Sequence, residues 1–145
     1  MTTVTRSFSV NAPAGVVIAY LADFSHAEQW DPGTQECTRQ DSGPVRVGSS
    51  WRNVSKIAGI STELIYTLEE LTDDRVVLVG RNDTATSTEL IEVTATGTGS
   101  DITYTNTVEW HGAAKAAAPV AKLVFEKLGN DTEKQLVEVL NGLTG

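Results

Sequence analysis

A chain of 145 residues, 40% hydrophobic and 21% charged, is long enough to bury a substantial core, too short for two ordinary domains and too apolar to be disordered. Its net charge of -8, with the few Lys and Arg scattered along the chain, repels a phosphate backbone and argues against nucleic acid as a partner. The lone Cys37 excludes an intrachain disulfide and a cysteine-rich zinc site, and no apolar run reaches the ~20 residues of a membrane helix.

These bounds predict one domain over residues 1–145. A cytoplasmic location is expected, because Met1-Thr2-Thr3 and Arg6 open the chain without an apolar signal region. Val4, Arg6, Phe8 and Val10 alternate with Thr5, Ser7 and Ser9, the period of a half-buried strand over 4–10. Asn11 stands where a helix needs its cap, and Pro13 suits a first turn. Val16, Val17, Tyr20 and Leu21 then recur at helical spacing, so 12–22 reads as a short amphipathic helix. Ser25 and Glu28 have capping-box spacing for a very short second helix through Trp30, stopped by Asp31-Pro32-Gly33.

Six strands are predicted next, at 34–40, 49–57, 61–71, 75–82, 86–96 and 101–111. The polar or glycine-containing turns between them are too short for anything but antiparallel neighbours, since a parallel return needs a crossover of about a dozen residues. On the last strand Ile102, Tyr104, Asn106, Val108 and Trp110 share the side expected to face inward. Thr103, Thr105, Thr107, Glu109 and His111 share the other. Leu64, Tyr66 and Leu68 give 61–71 a matching apolar face. Asn106 is the exception on that face, because an inward polar side chain needs a partner, and a cavity ligand or water is one way to supply it. Cys37 reads as a small apolar filler in its strand.

Beyond Gly112 an alanine-rich turn leads to a helix from about residue 118, with Pro119 in its first turn. Ala117, Val120 or Ala121, Val124, Leu128, Thr132, Leu136, Val139 or Leu140 and Leu143 form one stripe at spacings of three or four. Gly129 marks either a close contact with the sheet or a slight bend. A helix of about 25 residues spans roughly 37 Å, which only the full width of a curved sheet can bury. The predicted class is α+β: a seven-stranded curved antiparallel sheet around a long C-terminal helix, with two short helices after the first strand.

The opening RSFSVNAPAGVVIAYLADFSHAEQWDPG carries Asn11-Ala12-Pro13 before the first helix, the Ala22-Asp23-Phe24 step and Trp30-Asp31-Pro32 after the second. With Val47-Gly48 ahead of the third strand and the terminal helix, this pattern resembles the superfamily of START domains, birch-pollen-allergen-like proteins and bacterial polyketide cyclase/dehydrase proteins. The last subgroup is the nearest in length. The resemblance implies a helix-grip fold whose cavity, between sheet and terminal helix, takes lipids, sterols, polyketides or other apolar molecules. It also implies that some members cyclise or dehydrate their ligand there.

The ligand-facing set proposed from the sequence is Trp30, Trp51, Tyr66, Tyr104, Asn106 and Trp110. Their rings supply apolar area and their polar tips orient an oxygen. Against it stands the simpler reading that each aromatic completes the core, or, for Trp30, rims a portal. His111 is expected to point away from the cavity and His26 to lie at the surface. Neither belongs to a metal motif, and Gly97-Thr98-Gly99 is a turn, so no metal and no cofactor are expected. Asp31 and Glu109 are noted as charged residues without an assigned role, and Arg52 and Glu63 are expected to pair across the outer face. Glu69 and Glu70 face opposite ways, so no carboxylate pair and no catalytic residue is identified.

Three functions remain open at this point. The first is binding of a small hydrophobic molecule by a monomer or homodimer. The second is a cyclase, aromatase or dehydratase-like activity, which requires a titratable group in the cavity with a pKa moved toward neutral. The third is a protein-interaction or stress factor acting through the small residues of 113–118.

Overall fold

The computed structural model describes residues 1–143. Strand β1 (Thr2–Val10) is followed by α1 (Ala14–Ala22) and by a 3-10 turn (Phe24–His26) that runs into α2 (Ala27–Trp30). Strands β2 (Thr34–Arg39), β3 (Ser50–Ile57), β4 (Ile60–Leu71), β5 (Arg75–Arg81), β6 (Ala85–Ala95) and β7 (Ser100–Trp110) come next. A 3-10 segment, Gly112–Ala117, leads into α3 (Ala118–Asn141). The strands form one seven-stranded sheet in the order β1-β7-β6-β5-β4-β3-β2, antiparallel throughout. This is the helix-grip architecture the sequence predicts.

Two caps differ from expectation. Pro13, not Asn11, occupies the N-cap of α1, and no side chain caps it. The Asn11 backbone amide instead donates to Asn141 Oδ1 at 2.8 Å, tying the start of the helical pair to the end of α3. Nor do Ser25 and Glu28 form a capping box. Asp23 accepts from both Ser25 N and Ser25 Oγ, because the chain enters this region as a 3-10 turn whose N-cap is Asp23, two residues before Ser25. Glu28 is then free to accept from Cys37 N at 2.8 Å, joining α2 to β2.

Register irregularities between Thr34 and Glu36 and between Leu68 and Glu70 add local twist and help bend the sheet. The outer face between β1 and β7 is a ladder of hydroxyl pairs, Thr3–Thr107, Thr5–Thr105 and Ser7–Thr103. On the inner face α3 lies against β1 so closely that a β-carbon on Gly129 would stand 2.5 Å from Val4 Cγ1. Arg6, from the same inward row, fastens the helix: its guanidinium donates to the Glu126 carbonyl at 2.9 Å and to Asn130 Oδ1 at 3.0 Å. Leu136 and Leu140, fully buried among Val17, Leu21, Phe24 and Trp30, each contribute ~1.5–3 kcal/mol of apolar burial.

Candidate functional site

Transverse rows of inward side chains cross the sheet, and their register builds the site. Pairing of β6 with β7 sets Ile91 opposite Tyr104, Glu89 opposite Asn106, and Ser87 opposite Val108. Pairing of β5 with β6 sets Gly80 beside Ser87, and pairing of β4 with β5 sets Tyr66 beside Gly80. Gly80 matters here because a β-carbon on it would meet the Tyr66 ring at 2.6 Å. Its absence lets that ring lie flat across β5 toward Ser87.

A cavity of about 130 Å³ follows between these rows and α3. Tyr66, Ser87, Glu89, Tyr104 and Asn106 form its floor, with Leu64 and Val108 beside them. Phe125, Leu128 and Thr132 of α3 roof it, Trp110 closes one flank, and Asp31 at the end of α2 enters from another. Trp110 is held by its Nε1, which donates to Thr2 Oγ1 at 3.3 Å, and by stacking on Phe125 at 6.2 Å between centroids. Thr132 turns its hydroxyl back to the Leu128 carbonyl, so the roof presents mainly apolar surface.

Polar groups concentrate in the floor. Tyr104 Oη donates to Glu89 Oε2 at 2.5 Å. The Asn106 amide donates to Ser87 Oγ at 3.0 Å and to the Thr88 carbonyl at 3.3 Å, which supplies the partner its inward position requires. Asp31 is positioned by its own turn, accepting from Gly33 N at 3.0 Å and from Thr34 Oγ1 at 2.9 Å. Thr34 accepts in turn from Asn53, and Asn53 from Ser55, a chain that fixes the Asp31 edge of the cavity.

Burial pushes the Glu89 carboxyl up to about 8, and the charge of Asp31 adds to the effect; the hydrogen bonds from Tyr104 and Asn106 oppose it. Burial also raises Asp31, against the Gly33 amide and the Thr34 hydroxyl. Tyr66 and Tyr104 lie well above the ordinary phenol value through burial and then the Glu89 charge. At neutral pH, Glu89 is therefore a largely protonated acid in a mostly apolar chamber. It can donate a proton or a hydrogen bond to an oxygen placed against it.

Tyr66, Tyr104, Asn106 and Trp110 of the sequence-derived set line the cavity. Trp30 and Trp51 are not among its lining residues. Both are fully buried and pack edge-on to Phe24 at 6.0 and 6.4 Å, so they complete the aromatic core beneath α1 and α2. Their indole Nε1 atoms have no hydrogen-bond partner among the described residues.

His26 stacks on Tyr20 at 4.1 Å, and His111 Nε2 meets Thr86 Oγ1 at 2.9 Å. Neither lines the cavity. Cys37 is buried, and that burial pushes its thiol up to about 12, as befits a filler. Arg52 pairs with Glu63 on the outer face. Among the described residues no group of three or more His, Cys, Asp or Glu side chains could hold a metal ion, and no helix is long and apolar enough to cross a membrane.

Sequence reasoning missed Glu89. Its strand alternates Ala85, Ser87, Glu89, Ile91 and Val93 against Thr86, Thr88, Leu90, Glu92 and Thr94, and with Leu90 on the outer side the pattern does not announce which face is buried. The signal lay in the next turn. A tight hairpin at Gly97-Thr98-Gly99 sets Val93 against Ile102, so placing Tyr104 and Asn106 inside forces Ile91 and Glu89 inside as well.

Comparison with known proteins agrees with this geometry. The aromatase/cyclase Zhui from Streptomyces sp. R1128 superposes with a TM-score of 0.79 at 13% identity, over 95% of this chain and 92% of that one. A protein from Thermus thermophilus gives 0.78 at 13% identity over 95% and 96%. A START superfamily protein from Mycobacterium smegmatis gives 0.70 at 20% identity over 98% and 96%. At these identities the likeness is one of fold. Among curated proteins no match was found. The profile of one family, described as polyketide cyclase / dehydrase and lipid transport, matches residues 1–143, and with that coverage the chain belongs to this family of the START and birch-pollen-allergen-like superfamily.

Proposed function

We propose that the chain binds a small, largely apolar molecule of about one-ring size between sheet and α3, and orients it through a polar atom held by Glu89. The observation that carries this reading is the Glu89 carboxyl itself. It is 4% exposed, it lines the cavity, and it is turned toward that space beside Tyr104, which donates to it, and Asn106. A carboxyl group set in a mostly apolar chamber is short of the water that would otherwise solvate it, and a ligand hydroxyl, carbonyl or amine can hydrogen-bond to it in water's place. The size follows from the volume: an apolar cavity of roughly 150 Å³ accommodates benzene, and this one is about 130 Å³. A multi-ring polyketide would require the roof at Phe125 and Leu128 to move.

The test is titration with phenol and 2-phenylethanol, followed by the NMR shift of the Trp110 indole N–H, the one tryptophan on the cavity wall. Saturable binding is expected, and Leu128→Trp, which fills the chamber, abolishes it. Absence of binding at millimolar ligand, or binding unaffected by Leu128→Trp, overturns the reading.

One observation favours a second, catalytic reading. An acid raised to about 8 and hydrogen-bonded to a phenol is suited to protonating a leaving hydroxyl or a carbonyl oxygen in a dehydration or cyclisation. Turnover of a one-ring β-hydroxy ketone with a kcat that falls through the Glu89 ionisation and is lost in Glu89→Gln supports it. Turnover unchanged in Glu89→Gln removes it.

A further inference from the structure

Two carboxyl side chains, Asp31 and Glu89, enter the cavity, and among the described residues that line it none is a Lys, Arg or His. Arg6 is committed to Glu126 and Asn130 and Arg52 to Glu63 and Glu36 on the outer face, while Lys56 and Lys127 line the separate groove beyond Ile57 and Leu128. We infer that the polar group the site selects is a protonated amine, so that its ligand class is a small aromatic or aliphatic ammonium ion and not a carboxylic acid. This inference rests on the cavity being a ligand site, as proposed above.

The geometry supports it in three ways. Glu89 and Asp31 both border the cavity, and the side chains that hydrogen-bond to Glu89 are the uncharged Tyr104 and Asn106, so no cation in the wall balances it. An ammonium group brings three donors and no acceptor, the complement of a wall that offers carboxylate oxygens. The rings of Tyr66, Tyr104, Trp110 and Phe125 surround the same space, and aromatic faces attract a cation by ~0.5–2 kcal/mol. A carboxylate ligand would find no cation in the wall to balance its own charge, and a buried charge without a partner is strongly unfavourable. The overall charge of -8 draws cations toward the surface in the same sense.

Binding of an ammonium ion converts the Glu89 acid to its carboxylate and releases that proton to solvent, so charge and protons balance. The groups that face Glu89 are Tyr104 and Asn106 from β7, Tyr66 from β4, Leu78 from β5 and Asp31 from the end of α2. The roof from α3 adds Phe125, Leu128 and Thr132, none of them charged. Among the described residues that line the cavity, Asp31 is thus the other carboxyl group.

The test uses three probes of one shape, 2-phenylethylammonium, 2-phenylethanol and phenylacetate, by calorimetry at pH 7 and low ionic strength. The expected result is that the amine binds about tenfold or more tighter than the alcohol, with heats that vary with the buffer's ionisation enthalpy because a proton is released, and that phenylacetate does not bind. Glu89→Gln brings the amine to the alcohol's affinity, and Asp31→Asn lowers the amine's advantage about threefold or more, so the second variant decides if the first does not fold. If the alcohol binds and the amine binds no better, or the amine's advantage survives in both variants, the charge inference is overturned while the cavity reading stands. If none of the three binds, both are overturned.

Discussion

The face of α3 that looks into the protein meets two different interiors. Toward its C-terminal end Leu136 and Leu140 have no exposed surface and interlock with α1, Phe24 and Trp30. Eight and more residues earlier, Leu128 and Phe125 are half-buried over the cavity, and Val120 and Leu123 are 67% and 76% exposed. Both ends carry large apolar side chains, so hydrophobicity alone does not separate them. What differs is the sheet below. Leu136 and Leu140 belong to a cluster of buried apolar side chains, whereas Leu128 borders a chamber whose floor holds Ser87, Glu89 and Asn106, engaged in hydrogen bonds. One end of the helix stabilises the fold, and the other end covers a chamber.

The sharpest way to break this contrast is to make the same change at both ends. Leu136→Ala is expected to cost ~3–5 kcal/mol in urea denaturation, because a close-packed site relaxes little around the new void. Leu128→Ala is expected to cost only about 1–2 kcal/mol, since its side chain already borders empty space. Equal losses would mean that the cavity end is as tightly packed as the core.

The second contrast is electrostatic. Glu89 rises from 4.5 to about 8 on folding, so between those values the folded state holds a proton that the unfolded chain has released. Stability must therefore fall as pH rises through that window, by up to ~1.4 kcal/mol per pH unit at its steepest, and level off above it. Asp31, also raised by burial, acts in the same direction from its lower starting point. Urea midpoints measured from about pH 5 to pH 9 check the slope, and Glu89→Gln flattens it. A wild-type protein whose stability is level over this range would show that Glu89 is solvated.

A third change moves the floor without touching a charge. Gly80→Ala places a methyl group into the Tyr66 ring, an overpacking expected to cost ~1–3 kcal/mol and to displace Tyr66 within the chamber. Ligand binding should weaken by more than the loss in stability accounts for. If binding is unaffected, Tyr66 contributes wall area only.

The architecture was legible because each level of pattern agreed with the next. Pro119 fixed the start of α3, the glycine-bearing turns fixed antiparallel neighbours, and the alternation from Ile102 to Trp110 fixed the inner face of β7. Gly129 was legible as a position of close approach, and Val4 shows why. The floor was less legible. Periodicity speaks only when one face of a strand is uniformly apolar, and β6 puts Leu90 outside and Glu89 inside. Asp31 was visible as a charge but not as a wall of the cavity, since that depends on how α2 returns to β2 over a distance no local pattern encodes. Trp30 and Trp51 were ambiguous for the opposite reason: a large ring satisfies a core and a pocket equally well, and only the neighbouring Phe24 decides between them.

The smallest expected effect lies on the other side of the same ladder. Trp51 pairs with Tyr66 facing inward and Arg52 with Ile65 facing outward, so neighbouring positions on β3 sample the core and the solvent. Arg52 contacts Glu63 and, at 3.8 Å, Glu36, but its side chain is 38% exposed and theirs 50% and 57%. Water and salt screen such charges, and holding three long side chains together costs entropy, so Arg52→Ala should lower stability by only ~0.2–1 kcal/mol. The loss should shrink further in about 1 M NaCl, where the screening length is about 3 Å. A salt-independent loss above that range would mean that the aliphatic stem of Arg52, rather than its charge, supports the outer face, and that this face is not the freely solvated counterpart of the interior.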